Sequence, residues 1–157
     1  MDTINTIGGW QEWVSLPELH LPKVKAKIDT GALTSSLHAY NIKYVFKNGI
    51  KFVTFEVHPL QRNNNIKLIC EAPLVECRKV KSSGGAEQER PVILTLIKIG
   101  SYTWPIEINL TNRDSMGVRM LIGRQAIKGK FLVNPSHKFL HGKISTKRAK
   151  ELYSKAR

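Results

Sequence analysis

The stretch Lys25-Ala26-Lys27-Ile28-Asp29-Thr30-Gly31-Ala32 decides the fold, because a patterned strand runs directly into a short polar turn. Within residues 23–28, Val24, Ala26 and Ile28 share one face while the lysines share the other. Alternation with a period of two is typical of a half-buried β-strand. The sequence therefore predicts a strand that carries its aspartate to the start of a turn.

Short strands separated by turns account for most of the remaining chain. Asn48-Gly49 is typical of a two-residue hairpin turn, and Gly100-Ser101 separates strands predicted at residues 92–99 and 104–110. Another short apolar strand is predicted at residues 119–123, followed by one helical turn. Since no helical periodicity interrupts this series, the sequence predicts an all-β barrel or sandwich.

The two ends of the chain differ from this pattern. Residues 1–9 are polar and end in Gly8-Gly9, which predicts a flexible arm before a domain at residues 10–135. In the basic tail, residues 136–157, apolar residues recur at helical spacing and predict a helix. These residues are Ala149, Leu152, Tyr153 and Ala156, and Ser145 or Thr146 can cap the helix.

The charge balance indicates the kind of partner. The chain has 25 Lys and Arg against 12 acidic residues, a net charge of +13, which favours polyanions or acidic proteins as partners. No apolar run approaches the roughly 20 residues of a membrane span, so no membrane association is predicted. The N-terminus does not resemble a secretory signal, and Cys70 and Cys77 do not form a disulfide framework. We therefore expect a cytoplasmic protein.

The Asp-Thr-Gly turn suggests a catalytic carboxylate. Asp29 would lie at a strand end facing a cleft, the Thr30 hydroxyl can hold the turn, and Gly31 permits close approach of another backbone. Aspartic-peptidase chemistry needs two carboxylates that share a proton. Since the sequence has one such motif, a two-fold homodimer would supply the second. The alternative is an ordinary surface turn with the aspartate capping backbone groups.

Several blocks of sequence together resemble one bacterial family. Over roughly residues 8–135 the chain is similar to the retropepsin-like proteins labelled ATP-dependent zinc proteases, the RimB-like group. Two departures from the family pattern are Leu33, where the family usually has Arg, and Glu76, where it usually has Asp. The matching blocks are residues 9–17, 25–32, 35–39, 57–59, 77–83, 89–93, 110–116 and 119–124.

The resemblance implies a closed β-barrel lobe of the acid-protease fold. In this fold the Ile122-Gly123 strand passes beneath the catalytic turn, a short helix follows it, and Arg124 supports the dimer through an ion pair. A flap closes over the substrate. Its implied tip is Ser82, Ser83, Gly84 and Gly85 in loop 81–91, and loop 59–67 is the rival candidate.

The resemblance also implies a function: an aspartic peptidase with Asp29, Thr30 and Gly31 as its catalytic turn. Family members are thought to work beside an ATP-grasp glutamate ligase and to trim glutamate tails from a ribosomal protein. Such an acidic substrate suits a basic cleft. Four arginines are candidates to bind substrate carboxylates, with a solvated basic face as the alternative. They are Arg78, Arg90, Arg113 and Arg119.

The family label names zinc and ATP, but the residues do not support either. The spacing of the four zinc-ligand candidates is no zinc signature, and no phosphate-binding glycine motif is present in the sequence. We therefore predict no cofactor. The alternative function is a non-catalytic basic module that binds ribosome or RNA. Nucleic acid is the less favoured partner, because aromatic residues are few in the basic tail. The ligand candidates are His38, His58, Cys70 and Cys77.

Overall fold

A strongly curled β-sheet forms the body of the protein. The computed structural model describes residues 6–60, 65–81, 84–112 and 118–155, which contain eleven strands, two α-helices and a 3₁₀ helix at Pro17–Leu19. The strands are β1 (Thr6–Gly9), β2 (Gln11–Leu16), β3 (Leu21–Asp29), β4 (Ser35–His38), β5 (Tyr40–Lys47), β6 (Ile50–Val57), β7 (Leu68–Lys81), β8 (Glu87–Ile99), β9 (Tyr102–Thr111), β10 (Met120–Gly123) and β11 (Phe131–Asn134); the helices are α1 (Arg124–Ile127) and α2 (Thr146–Lys155).

In the described residues, nine strands form one sheet in the order β2-β3-β10-β4-β9-β8-β7-β6-β5, and β1 pairs with β11 in a separate parallel pair. The sheet curls until β2 meets β8 at the residue pair Ser15 and Lys98. The prediction of an all-β fold is thus confirmed, but the closed barrel is wrong. β7 pairs with β8 only as far as Ile93 and otherwise pairs with β6, so β5, β6 and part of β7 form an open extension.

Both predicted hairpins are present. Asn48 and Gly49 connect β5 to β6 with φ values of 51° and 80°, the left-handed conformation that this kind of turn requires at both positions. Gly100 lies in the turn between β8 and β9 and has a φ of 61°. The inward residues of β9 are buried as the alternation predicts. They are Trp104, Ile106, Ile108 and Leu110.

The predicted flexible arm is wrong for residues 6–9, which form β1 and pair with β11 in parallel register; residues 1–5 lie outside the described residues. The buried carboxylate of Glu12 explains why the end of this segment is fixed against the sheet. It accepts hydrogen bonds from the backbone N–H groups of Gly9 at 2.7 Å, Leu140 at 3.0 Å and His141 at 3.0 Å. One side chain therefore ties the first strand and the tail segment to β2.

The predicted C-terminal helix is present as α2. Ser145 caps it, since its Oγ accepts a hydrogen bond from the Arg148 N–H at 3.1 Å. Ala149 and Tyr153 are buried, and the Tyr153 hydroxyl donates to the Lys23 carbonyl in β3. Burial raises the pKa of Tyr153, so this hydroxyl stays protonated and able to donate. The tail thus packs on the sheet, while the domain boundary at residue 135 stays a prediction.

Neither helix in the described ranges has the length and apolar character that crossing a membrane requires.

Candidate active site

Asp29 lies at the end of β3, where β10 runs parallel to it and Gly123 is its register partner. The side chain is half-buried, and its Oδ1 accepts a hydrogen bond from the Gly31 N–H at 3.0 Å. A Cβ atom on Gly31 would lie 3.2 Å from the same oxygen, so glycine suits this position. An ordinary aspartate turn makes the same local bond. This bond alone therefore does not distinguish a catalytic turn from an ordinary one, whereas the contacts that surround the turn can.

The end of β10 and the start of α1 hold the turn from below. The Gly123 N–H donates to the buried Ser35 Oγ at 3.1 Å. The next two N–H groups donate to carbonyls of the turn segment, from Arg124 to Ala32 at 2.9 Å and from Gln125 to Leu33 at 3.1 Å. Three consecutive backbone donors thus fix the segment that follows Asp29. Beside them, Ile122 is fully buried in the core beneath the turn.

Gly123 has no room for a side chain. A Cβ atom there would lie 2.7 Å from the Thr34 carbonyl carbon and 2.8 Å from the Leu33 carbonyl oxygen. Because both are backbone atoms, Gly123→Ala should displace the turn and lower the free energy of unfolding by about 2–3 kcal/mol. Urea unfolding followed by circular dichroism measures this change.

Gly8→Ala is the matched control for that substitution. A Cβ atom on Gly8 would lie 3.5 Å from Phe131 Cδ1, an ordinary contact. We expect its unfolding free energy to change by less than about 1 kcal/mol. Equal effects of the two substitutions would contradict the close packing beneath the turn.

Arg124 contacts the turn through its side chain as well. Its Nη1 donates to the carbonyls of Thr30 at 3.3 Å and Gly31 at 3.2 Å. The guanidinium thus supports the turn within a single chain. Its implied ion pair in a dimer stays a prediction.

A cavity of about 460 Å³ opens beside Asp29. Its volume falls within the roughly 300–1,000 Å³ that is usual for small-ligand sites. The β7–β8 hairpin borders it on one side through residues 78–81. The remaining lining comes from the turn and from the strands that carry Ser36, Arg90, Asn109 and Leu121.

The hairpin that was implied as a flap therefore borders the cavity. Ser82 and Ser83 lie outside the described residues, while Gly84 and Gly85 are exposed at the tip. Gly85 has a φ of 86°, a conformation that favours glycine. None of the described residues of the rival loop 59–67 lines the cavity; residues 61–64 are outside the described part. Movement of the hairpin over a substrate stays a prediction.

The predicted substrate arginines separate into different environments. Arg78 lines the cavity and pairs with the carboxylates of Glu76 and Glu107. The hydrogen bond with Glu76 is the main cause that raises the pKa of Arg78. Arg90 also lines the cavity and is buried.

Arg119 is not among the residues that line this cavity. Its Nε is buried and has no hydrogen-bond partner within the described ranges. Arg113 lies outside the described residues.

Two cavity residues were not among the predicted site residues. Asn109 and Ser36 are buried, and the Ser36 Oγ donates to the Asn109 Oδ1 at 2.8 Å. The sequence held one signal for this contact, the amide side chain of Asn109 within the apolar strand predicted at residues 104–110. A polar group that is buried in such a strand needs a hydrogen-bond partner. Its partners lie on β4 and β8, so local sequence could not identify them.

A second, apolar groove of about 680 Å³ shares Leu33 and Arg124 with the lining of this cavity. Leu33 and Leu132 line it and are 56% and 64% exposed, respectively. Thr30, which is also exposed, lines this groove and belongs to the Asp-Thr-Gly turn. The rest of the lining is Arg124, Gln125, Ile127, Lys128, Phe131 and Val133.

The four candidate zinc ligands do not fit a zinc site. His38 Nε2 is hydrogen-bonded to the Tyr40 hydroxyl at 2.8 Å, and His58 packs its ring on the same tyrosine. Burial raises the pKa of the Cys70 thiol to about 12, which opposes the thiolate that zinc binds. In the described part of the chain, no three His, Cys, Asp or Glu residues are grouped closely enough to hold a metal ion. The predicted absence of a cofactor stays a prediction.

An Asp-Thr-Gly turn held from beneath by an apolar, glycine-ended strand is the arrangement expected of a retropepsin-like lobe. The model of the family described as "RimB-like: Retropepsin-like aspartic endopeptidase RimB" matches residues 7–144. The chain belongs to this family, which confirms the predicted resemblance.

Curated relatives are longer proteins. The chain is 44% identical over 145 residues to a probable alpha-L-glutamate ligase of Shewanella halifaxensis, covering 92% of this chain and 32% of that protein. It is 42% identical over 155 residues to a protein of the same name from Parasynechococcus marenigrum, covering 99% of this chain and 33% of that protein. The chain therefore spans about a third of the length of these relatives.

A solved structure shows the same fold. The protein Lpg0085 of Legionella pneumophila, described as having unknown function, superposes with a TM-score of 0.74 and is 35% identical. The match covers 87% of this chain and 98% of that one.

Proposed function

We propose that the protein is an aspartic peptidase that acts as a homodimer on acidic peptides, including glutamate-rich tails. The observation that carries this proposal is the position of Asp29. Its carboxylate opens into a cavity whose other charged lining residues are all basic among the described residues. These are Arg78, Lys79, Lys81, Arg90 and Arg124.

The chemistry requires an Asp29 from each protomer, and the two share one proton. The ionised carboxylate takes a proton from water, and the water oxygen bonds to the scissile carbonyl carbon. The protonated carboxyl group donates its proton to the carbonyl oxygen. In the second step the C–N bond breaks as the amine nitrogen accepts a proton from one carboxyl group. A hydroxyl of the intermediate returns a proton, which restores the shared state.

The surface beside the turn supports a dimer. Thr30 is exposed, and the apolar groove with Leu33 and Leu132 continues directly from it. A second copy that covers this groove would remove exposed leucine side chains from water, which favours association. The same contact would bring a second Asp-Thr-Gly turn towards the first.

Leu132→Asp should weaken the homodimer while leaving each protomer folded, because the side chain is 64% exposed. Placing a charge in an apolar contact should raise the dimer dissociation constant at least about tenfold. Analytical ultracentrifugation measures the constant. The matched control is Leu94→Asp, since Leu94 is 53% exposed but does not line this groove. An unchanged constant for Leu132→Asp would place the dimer contact elsewhere.

The decisive test of the function is hydrolysis at increasing protein concentration. With a fluorogenic glutamate-rich peptide, the rate per mole of chain should rise with concentration and level off as the dimer saturates. Full activity at concentrations where sedimentation shows only monomer would contradict the shared site. So would the absence of hydrolysis when the protein is dimeric.

The relatives' names support the choice of a glutamate-rich substrate. Proteins named probable alpha-L-glutamate ligase contain a segment similar to this chain. A peptidase that acts beside such a ligase could shorten the acidic tails that the ligase adds. As the family resemblance implies, we also propose an ATP-grasp glutamate ligase and a ribosomal protein as partners.

A further inference from the structure

A cluster of aromatic rings and lysines lies on the face of β2 and β3 that carries Lys25. Trp13 is the register partner of Lys25, and Phe139 of the tail stacks on Trp13 with 6.2 Å between the ring centroids. Trp10 and Lys138 complete this aromatic–lysine cluster, since the Lys138 Nζ lies 5.8 Å from the Trp10 ring centroid. None of its five residues lines the cavity or the apolar groove of the candidate active site.

The fold supplies aromatic rings that the basic tail lacks. Residues 136–157 contain seven Lys and Arg and one acidic residue, but apart from histidine their aromatic residues are Phe139 and Tyr153. Tyr153 is buried, so the tail alone offers one ring to a ligand. In the folded protein Trp10 and Trp13 lie beside the tail. The shortage of rings that made nucleic acid the less favoured partner therefore does not apply to the folded surface.

Backbone hydrogen bonds hold the exposed ring of the cluster in place. Trp10, which is 37% exposed, donates its N–H to the His137 carbonyl at 2.9 Å and accepts the Ile28 N–H at 2.8 Å. The Phe139 N–H donates to the Gln11 carbonyl at 2.8 Å. A ring on a backbone that is fixed before binding loses little conformational freedom when a ligand stacks on it.

Two lysine ammonium groups are gathered on one ring. The Lys25 Nζ lies 5.8 Å and the Lys138 Nζ 5.7 Å from the Phe139 ring centroid. Cation–π contacts of this kind hold both groups in position. In the described part of the chain, neither lysine forms an ion pair. Because two cations held close together repel each other, an anion that bridges them is favoured.

β3 extends this positive charge beyond the cluster. Lys27 is exposed and lies two residues after Lys25, so both belong to the same face. Alternate residues of a strand are about 6.5 Å apart, which is close to the spacing of successive phosphates in an extended nucleic-acid strand. At the other end of β3, α2 packs through Tyr153 on Lys23 and exposes Lys147. A chain of regularly spaced anions therefore fits the surface better than a single anion does.

Single-stranded nucleic acid fits this surface better than a membrane or an acidic protein. A helix that binds a membrane surface needs a free apolar face, but the apolar residues Ala149 and Tyr153 of α2 are buried. Lysine is depleted in the cores of protein interfaces, whereas it is a usual partner of phosphate groups. An exposed ring such as Trp10 can stack on an unpaired base.

We propose that the aromatic–lysine cluster, together with Lys27, binds single-stranded nucleic acid, with phosphates on the lysines and one base stacked on Trp10. The phosphate contacts supply most of the affinity and do not depend on base sequence. This binding is independent of the peptidase function proposed above, because no residue of the cluster lines the cavity beside Asp29.

The salt dependence of binding tests the lysines. Fluorescence anisotropy with a labelled oligouridylate gives the dissociation constant at several salt concentrations. Lys25→Gln combined with Lys138→Gln should weaken binding at least about tenfold and reduce the slope of log K against log salt concentration by about 1.4, since each lost phosphate contact removes about 0.7. Lys43→Gln combined with Lys67→Gln is the matched control. It removes two exposed lysines outside the cluster and should keep the wild-type slope.

Trp10→Leu tests the stacked base. It should weaken binding at least about fivefold and leave the salt slope unchanged, because no charge is removed. Phe46→Leu is the matched control, since Phe46 is 70% exposed on β5 but lies outside the cluster. Circular dichroism verifies that each variant is folded, and the lysine variant decides the matter if Trp10→Leu does not fold.

An unchanged affinity and slope in the lysine variant would overturn the proposal, as would wild-type protein that does not bind the oligouridylate. Tighter binding of polyglutamate, or of vesicles with anionic phospholipid, would assign the surface to another partner and would overturn it too. An oligodeoxythymidylate of equal length distinguishes RNA from DNA. The lysine variant should hydrolyse the glutamate-rich peptide at the wild-type rate, so a failure of this proposal is distinguishable from a failure of the peptidase function.

Discussion

Asp29→Asn should abolish peptide hydrolysis, with kcat/KM at least about a thousandfold below that of the wild type. The amide cannot take a proton from water or share one with its partner, so both proton transfers of the first step are lost. Stability should change little, because the side chain is half-buried and the Asn Oδ1 can still accept the bond from the Gly31 N–H. The same fluorogenic assay, run at saturating dimer concentration, measures the effect.

Glu151→Gln is the control for that experiment. It also neutralises one carboxylate. Glu151 lies on α2, where it is exposed and pairs with Arg148, and it does not line the cavity. Its activity should equal that of the wild type. If Asp29→Asn retained wild-type turnover, the peptidase mechanism would be wrong.

Glu12→Ala should give the largest loss of stability, about 3–5 kcal/mol of unfolding free energy. The Glu12 side chain is 1% exposed and accepts bonds from three backbone N–H groups, one in the adjacent β1 and two in the tail segment. Its removal leaves these donors without an acceptor inside the protein. Urea unfolding monitored by tryptophan fluorescence measures the loss.

Glu18→Ala provides the matched comparison. Glu18 Oε1 also accepts a backbone bond, from the Leu96 N–H at 3.0 Å, but the contact is single and exposed. We expect a loss below about 1 kcal/mol for this variant. Comparable losses in the two proteins would show that burial of Glu12 adds nothing.

The strand and turn that carry Asp29 were predictable because their signals are local. Alternation in residues 23–28 defined β3, and the Asp-Thr-Gly motif follows immediately. Asn48-Gly49 likewise defined a hairpin, since the turn requires residues that tolerate positive φ. Such features depend on neighbouring residues alone.

What could not be predicted depends on contacts between distant residues. β1 exists because β11, more than 120 residues later, pairs with it, and nothing in residues 6–9 indicates that partner. The buried pair of Arg90 and Asn109 is of the same kind. The incomplete closure of the sheet has a related origin, because it depends on how far β7 follows β8. The sequence of a hairpin does not indicate at which residue the pairing of its two strands stops.

The support of Asp29 from β10 has a consequence for the order of folding. Ser35 and Gly123, which share a hydrogen bond beneath the turn, are separated by 88 positions, and Arg124 and Thr30 by 94. Closing so long a loop costs conformational entropy before any contact repays it, and proteins rich in such contacts fold slowly. The local hairpins β5–β6 and β8–β9 can form early, whereas the Asp-Thr-Gly turn becomes rigid only when β10 inserts between β3 and β4. A partly folded chain therefore carries the Asp-Thr-Gly sequence before the Asp29 carboxylate is held in its final position.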